Sequence, residues 1–235
     1  MVTPVSGSPT VSVPVAVRVR DVRKTYEAST AEPVVALDGV SLDVRAGEMV
    51  ALVGPSGCGK STLLNLVGCI DRPTEGGVEL GGLGTSGLDD DALTLLRRDR
   101  VGTVFQFFNL LPSMTIAENV GLPLVLQGVR RADVAKRVNA ALQSVGIAEK
   151  ASAYPAQISG GQMQRAAVAR ATIHRPAIVL ADEPTGNLDS RNGAAVLQLL
   201  RELADGGQAI LMATHADEAA AMCDRVVRMQ DGRIV

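Results

Sequence analysis

Aromatic side chains are nearly absent: the 235 residues hold three Phe, two Tyr and no Trp, or 2%. A platform that stacks the bases of single-stranded nucleic acid needs more rings than that. Cysteine is equally sparse. Cys58, Cys69 and Cys223 are odd in number and show no Cys-x-x-Cys spacing, which excludes a disulfide framework and a zinc site and suits a reducing compartment. No apolar run approaches the length that spans a bilayer, and the N-terminus lacks the basic patch and apolar core of a signal peptide. A membrane role therefore has to come through a partner. Lys+Arg (23) and Asp+Glu (25) nearly cancel to a formal charge of −2, which argues against nucleic acid as a general partner. What is present is 46% hydrophobic and 20% charged, enough to bury the core of one large domain, or of a core with a subdomain.

The most informative stretch is Val50–Thr62, Val-Ala-Leu-Val-Gly-Pro-Ser-Gly-Cys-Gly-Lys-Ser-Thr. Val50–Val53 suits a buried strand. Gly54 to Ser61 reads Gly-x-x-x-x-Gly-Lys-Ser, and Thr62–Val67 carries apolar residues at helical spacing. Strand, glycine-rich loop and helix form the context of a phosphate-binding loop. The loop of Gly54, Pro55, Ser56, Gly57, Cys58 and Gly59 can turn its backbone N–H groups, which all but Pro55 supply, inward around phosphate oxygens, and the helix start adds about half a positive charge. Lys60 is expected to reach the β and γ phosphates and the Ser61 hydroxyl to ligate Mg²⁺. The competing reading, an ordinary glycine turn, leaves Lys-Ser in register without a reason. A nucleotide is the expected ligand.

Around this loop the chain reads as α/β. Met1–Pro14, rich in Pro, Ser, Thr and Val, reads as a mobile tail. Val15–Val22, Val34–Leu37, Val40–Val44 and Gly76–Leu80 read as short strands, so antiparallel hairpins flank the central strand. Asp89–Arg100 is a helix with aspartates at its start and arginines at its end, and Val101–Phe105 a strand. Thr115–Leu126 and Arg131–Val145 read as helices, the second closed by Gly146. From Ser159 on, helix and strand alternate: Gly160–Ile173, Ala177–Ala181, Asn192–Leu203, Ala209–Ala213, Asp217–Met222 and Arg225–Met229. That alternation implies a largely parallel, doubly wound sheet.

Two further patterns carry chemistry. Ile178–Glu183, Ile-Val-Leu-Ala-Asp-Glu, delivers Asp182 and Glu183 at the C-terminal end of a buried strand, where ligands bind in open α/β sheets. Asp182 is placed to hold Mg²⁺ through water opposite Ser61, and Glu183 to polarise an attacking water. Ser159-Gly160-Gly161-Gln162 opens a helix. It reads either as a second nest of N–H groups for phosphate or as a plain capped helix start, since Ser is a favoured N-cap.

With these motifs in order, the chain resembles the ATP-binding subunits of ABC transporters from Val15 to its C-terminus. Gly54–Ser61 is similar to the Walker A motif, Ile178–Glu183 to Walker B, and Ile158–Gln162 to the LSGGQ signature with Ile for the usual Leu. Gln106 stands where the Q-loop glutamine does, Asn187-Leu188-Asp189 where the D-loop does, His215 at the switch histidine, and Tyr26 at the aromatic that stacks on adenine. The resemblance implies a P-loop NTPase (RecA-like) core with an antiparallel β subdomain and a helical subdomain at about 107–157, all within one ATPase domain over 15–235. It implies ATP and Mg²⁺ as cofactors, with Ser61, Gln106 and Asp182 at the metal and Gly54–Thr62, Tyr26 and Gln106 at the nucleotide. Glu183, His215 and Lys60 are the implied catalytic residues. It also implies a head-to-tail dimer, in which Ser159, Gly160, Gly161 and Gln162 act on nucleotide held by the other protomer and Asp189 lies at the seam. Met163 and Ala216 depart from the polar and acidic residues common at those positions without removing a catalytic atom.

Phe105–Pro112, Thr115–Val120, Leu122–Leu124 and Tyr154-Pro155 are similar to the lipoprotein-release and macrolide-export group (LolD-like and MacB-like), which includes the cell-division ATPase FtsE. That implies a separate integral-membrane permease as partner and a peripheral place on the cytoplasmic face of the cell membrane. Transport is the expected output; transmission of force to an extracytoplasmic enzyme is the alternative. Soluble ABC ATPases of DNA repair or translation are disfavoured, because coiled coil, zinc insertion and fused second ATPase are all missing. Cys58, beside Lys60 at a helix start, is expected to react readily with alkylating agents.

Overall fold

The computed structural model describes residues 13–27 and 32–235. The expected tail lies mostly outside them, in residues 1–12. Its last residue, Pro14, accepts a hydrogen bond from Ala46 N at 2.9 Å.

Strand β1 (Val15–Tyr26) pairs antiparallel with β2 (Val34–Arg45), and the buried strand β3 (Met49–Val53) follows. Two short strands were expected between Val34 and Val44, whereas β2 is continuous over 12 residues. The chain absorbs the irregularity as bulges, with Gly39 at φ 73° and shifted register on both sides of Val22–Val40, so the ladder bends without ending. Helix α1 (Lys60–Val67) leads to β4 (Glu75–Leu80) and the two-residue β5 (Leu83–Gly84), closing a four-stranded antiparallel sheet in the order β2-β1-β4-β5.

Next come α2 (Asp90–Arg100), capped by the Asp89 side chain, and β6 (Val101–Phe105). Helix α3 (Ile116–Leu126) starts from a capping box made by Thr115 and Glu118, and α4 (Arg131–Ser144) ends against Gly146, whose φ is 69°. The remainder alternates: α5 (Gly160–Thr172), β7 (Ile178–Asp182), α6 (Ser190–Asp205), β8 (Ala209–Ala213), α7 (Asp217–Ala221), β9 (Arg225–Gln230) and β10 (Arg233–Ile234). The second sheet has six strands in the order β10-β9-β3-β8-β7-β6. All but the antiparallel edge strand β10 run parallel, as the helix–strand alternation requires.

Period-two alternation divides the core. Val50, Leu52, Ile178, Leu180, Leu211 and Ala213 face one way and pack with α1 and the antiparallel sheet. Met49, Val179, Ala181, Ile210 and Met212 face the other way, against α5 and α6. Both faces are covered, which is why these strands read as continuous apolar runs. Each fully buried Leu or Ile contributes about 2 kcal/mol from area removed from water. A third cluster joins Ile116, Val120 and Leu124 of α3 and Val138 and Leu142 of α4 to Ala166 and Ala169 of α5. Helices α3 and α4 are thereby tied to the helix that begins at the Ser-Gly-Gly-Gln segment.

Candidate functional site

The C-terminal ends of the parallel strands collect the residues singled out above. The loop Gly54–Gly59 joins β3 to α1, with Pro55, Ser56, Gly57 and Ser61 exposed and Cys58 and Gly59 buried. Gly59 sits at φ 103° as the N-cap of α1, and a Cβ there would lie 2.6 Å from Ala36 O, so only glycine fits. Unlike α2, α3, α5 and α6, helix α1 has no side chain capping its start, and its first turn carries no acidic residue. Its first N–H groups are free to meet an anion. Lys60 Nζ donates to Gly54 O at 2.7 Å and Pro55 O at 3.0 Å, so the ammonium lies within the turn of the loop.

Two strands from β3, with β8 between them, strand β7 ends at Asp182, and Glu183 follows it. Burial, reinforced by the Glu183 charge, pushes the Asp182 carboxyl above its usual range, and the Lys60 charge opposes the shift. Glu183 takes the left-handed conformation at φ 47°, which costs a non-glycine residue about 1 kcal/mol, and its amide is fixed to Ala213 O at 3.0 Å. Its Oε1 meets His215 Nδ1 at 2.8 Å, so the strained residue and the exposed histidine after β8 form a pair.

Tyr26 ends β1 and is 40% exposed. Its hydroxyl donates to Asp71 Oδ2 at 2.9 Å, while Lys24 Nζ reaches Asp71 Oδ1 at 2.7 Å and lies 4.8 Å from the ring centroid. Burial, with Asp71 alongside, raises the Tyr26 hydroxyl above its ordinary value. Sequence reasoning missed Asp71, because a clamp between residues 45 apart leaves no local pattern. Gln106 follows β6, whose last residue pairs with Asp182. Its carboxamide lies against Gly186, and its carbonyl accepts from Asn187 Nδ2 at 3.0 Å.

Ser159 does cap α5: its hydroxyl accepts from Gln162 N at 3.3 Å, and Gln162 Oε1 accepts from Ser159 N at 3.0 Å. The capped-helix reading therefore holds for the fold. The helix is nonetheless set apart from the loop at Gly54. Helix α5 packs on β6, three strands from β3, or about 14 Å at ordinary strand spacing. A Cβ on Gly160 would touch Leu188 and Phe108, and one on Gly161 would collide with Asn192. Asn192 in turn holds Asp189, at 2.6 Å through its amide nitrogen and 2.9 Å through its backbone. Asn192 is a second contact that spacing could not reveal.

One expectation is corrected. Cys58 Sγ does lie 3.7 Å from Lys60 Nζ, but the residue is 3% exposed, turned inward beneath the loop. A thiol without access is not readily alkylated.

Taken together, the parallel sheet, the loop at Gly54–Ser61 and the carboxylates two strands away define a P-loop nucleotide-binding domain. A second glycine-led helix start, standing apart on the same sheet end, narrows the class to ATP-binding cassettes. The chain belongs to the ABC transporter family, whose profile matches residues 37–186. It is 44% identical over 216 residues, 92% of its length, to the macrolide export ATP-binding/permease protein MacB of Escherichia coli (strain K12). It is 44% identical over 219 residues to the pyoverdine export ATP-binding/permease protein PvdT of Pseudomonas aeruginosa. The chain spans 33% of the length of each of these relatives. Among solved structures it is similar to the dimeric ATP-binding cassette MJ0796 in a post-hydrolysis state bound to ADP and Pi, with TM-score 0.84, 42% identity and 93% and 96% of the two chains covered. It is also similar to cbiO1 of Clostridium perfringens, part of the transporter complex cbiONQ, with TM-score 0.83, 28% identity and 94% and 87% coverage. Among the described residues no helix is long and apolar enough to cross a membrane.

Proposed function

We propose that the chain is the ATP-hydrolysing subunit of an export-type ABC transporter and works as a dimer of two copies around two ATP molecules. The observation that carries the reading is the Glu183–His215 pair at 2.8 Å, standing beside Asp182, whose carboxyl feels the charge of Lys60. The phosphates sit in the loop Gly54–Thr62 against the start of α1, with Lys60 withdrawn from its own carbonyls onto them. The exposed Tyr26 ring carries the adenine. Glu183 takes a proton from water as the water oxygen bonds to the γ-phosphorus and the bond to the bridging oxygen breaks, leaving ADP and phosphate. His215 holds the Glu183 carboxylate in place.

Mg²⁺ fits the donor set: Ser61 offers a hydroxyl and Asp182 a carboxylate that its surroundings make costly to ionise, both hard oxygen ligands, with Gln106 as the further contributor. Bound there, the ion would neutralise phosphate charge. Water and phosphate oxygens would complete its ligand set, as they do where Mg²⁺ is held by few protein groups.

Two copies are called for in this reading because Ser159–Gln162 opens a helix that packs on β6, three strands from the strand leading into the loop, so the phosphate it would meet is assigned to a second copy. The similarity to a dimeric cassette supports this. A permease is the second partner. A groove of about 580 Å³ between α2, β6 and α3, lined by Leu95, Val101, Phe105, Leu122 and Leu126, suits an apolar docking segment; a permease seated there would hold the chain peripherally at the cytoplasmic face of the membrane. MacB and PvdT, named as ATP-binding/permease proteins, support export as the purpose. ATP turnover by the purified chain, compared with Glu183→Gln, tests the reading. The variant should bind ATP and dimerise yet lose at least about 100-fold in turnover; wild-type turnover would remove Glu183 from the role of base.

A further inference from the structure

Gln164 is fully buried on α5, two residues beyond the Ser-Gly-Gly-Gln segment. Its Nε2 donates to Pro184 O at 2.5 Å and to Phe105 O at 3.3 Å. These two carbonyls belong to the residue after Glu183 and the residue before Gln106. One side-chain amide, carried by the signature helix, therefore holds the ends of both β7 and β6. Its Oε1, buried equally, has no donor. A buried acceptor left unpaired costs stability, so an apolar residue of the same shape would serve the core better if packing were the purpose. What the amide adds is aim. Glu183 sits in a strained backbone state that persists only while neighbours over-determine it. Three bonds do so: Glu183 N to Ala213 O, Gly186 N to Glu183 O, and Gln164 to Pro184 O. The first two come from the core strands and the turn itself. The third is the one that comes from α5.

We infer that Gln164 is a positioning residue for ATP hydrolysis: it ties the signature helix of one protomer to the Glu183 and Gln106 of that same protomer. Engagement of Ser159–Gly161 by the partner's nucleotide then sets the register of the chain's own base. The inference rests on Glu183 being that base.

The test uses Gln164→Met, which keeps shape and removes the donor, and Gln164→Glu, which exchanges the donor for a titratable oxygen. Gln164→Met should keep nucleotide affinity and lose about 10- to 100-fold in kcat, the penalty expected for a misplaced catalytic group. Gln164→Glu should be equally slow at about pH 8.5, where the carboxylate faces two carbonyl oxygens, and should recover toward about pH 6, where the protonated acid again donates. Its activity is read as the ratio to wild type at each pH, which cancels the pH dependence that the two enzymes share. A Gln164→Met enzyme within about twofold of wild-type kcat, or a Gln164→Glu enzyme as slow as Gln164→Met at every pH down to about 6, would overturn the inference. If either variant does not fold, the other decides. Glu183→Gln, measured alongside, separates the two readings: full turnover there sinks the base, whereas a slow Glu183→Gln with an ordinary Gln164→Met sinks only the positioning role.

Discussion

His215 Nδ1 and Glu183 Oε1 stand 2.8 Å apart, bridging the loops that follow β8 and β7. The histidine is the exposed member: its side chain is 73% exposed against 19% for Glu183. It can therefore turn toward a phosphate without dismantling the core, while Glu183 stays fixed by its backbone. His215→Ala should leave nucleotide affinity within about threefold and lower kcat by about 100-fold, because the carboxylate keeps its backbone anchor and loses the partner that orients it. Steady-state turnover beside equilibrium binding of a fluorescent ATP analogue separates the two quantities. A parallel rise in dissociation constant would place His215 in binding instead.

The motifs were legible because each reports a local constraint. Four apolar residues before Gly54, and four more before Asp182, announce strands covered on both faces, and ligand-binding groups follow where such strands end. Contacts between distant segments left no such trace. Asp71 grips Tyr26 from 45 residues away, and Gln164 reads as one more polar residue until the helix is seen to face inward. The division of β2 into two strands failed for a related reason. A bulge at Gly39 interrupts the alternation of side chains without interrupting the ladder.

Cys58 shows the limit of a charge argument made without burial. The ammonium is close, at 3.7 Å, yet the thiol is covered by its own loop. Alkylation of the folded chain by N-ethylmaleimide should leave Cys58 largely unmodified over the time in which a surface thiol reacts fully, with modification appearing in urea. Peptide mass spectrometry of both samples reads this directly. Rapid native modification at Cys58 would mean that the loop opens on the timescale of the reagent.

The groove under α3 should matter to the assembly and not to the chemistry. Leu126 is 59% exposed and lines it. Leu126→Asp places a charge on an apolar docking face, at a cost of several kcal/mol to a partner segment that must desolvate it. Basal ATP turnover of the isolated chain should stay unchanged, because Leu126 lies on the helical layer and not at the strand ends. Co-purification with the co-expressed permease should fall at least about tenfold. Unchanged co-purification would move the docking site elsewhere on the surface.

Ser159 answers to two physical demands, and one substitution separates them. Its hydroxyl caps α5, accepting from Gln162 N at 3.3 Å, and its proposed second task is to present that helix start to a phosphate held by another protomer. Aspartate caps a helix as well as serine does and also favours the positive end of the dipole. Ser159→Asp should therefore fold with a melting temperature within about 2 °C of wild type, where Ser159→Ala, lacking a cap, falls by an amount corresponding to about 1 kcal/mol. Toward phosphate the order reverses. The carboxylate repels the anion that the helix start attracts, while alanine merely removes one donor. In the Glu183→Gln background, gel filtration with ATP should show a dimer for Ser159→Ala and a monomer for Ser159→Asp. Dimerisation by both would leave Ser159 as a cap and nothing more, and would return the burden of phosphate recognition across the seam to the backbone of Gly160 and Gly161.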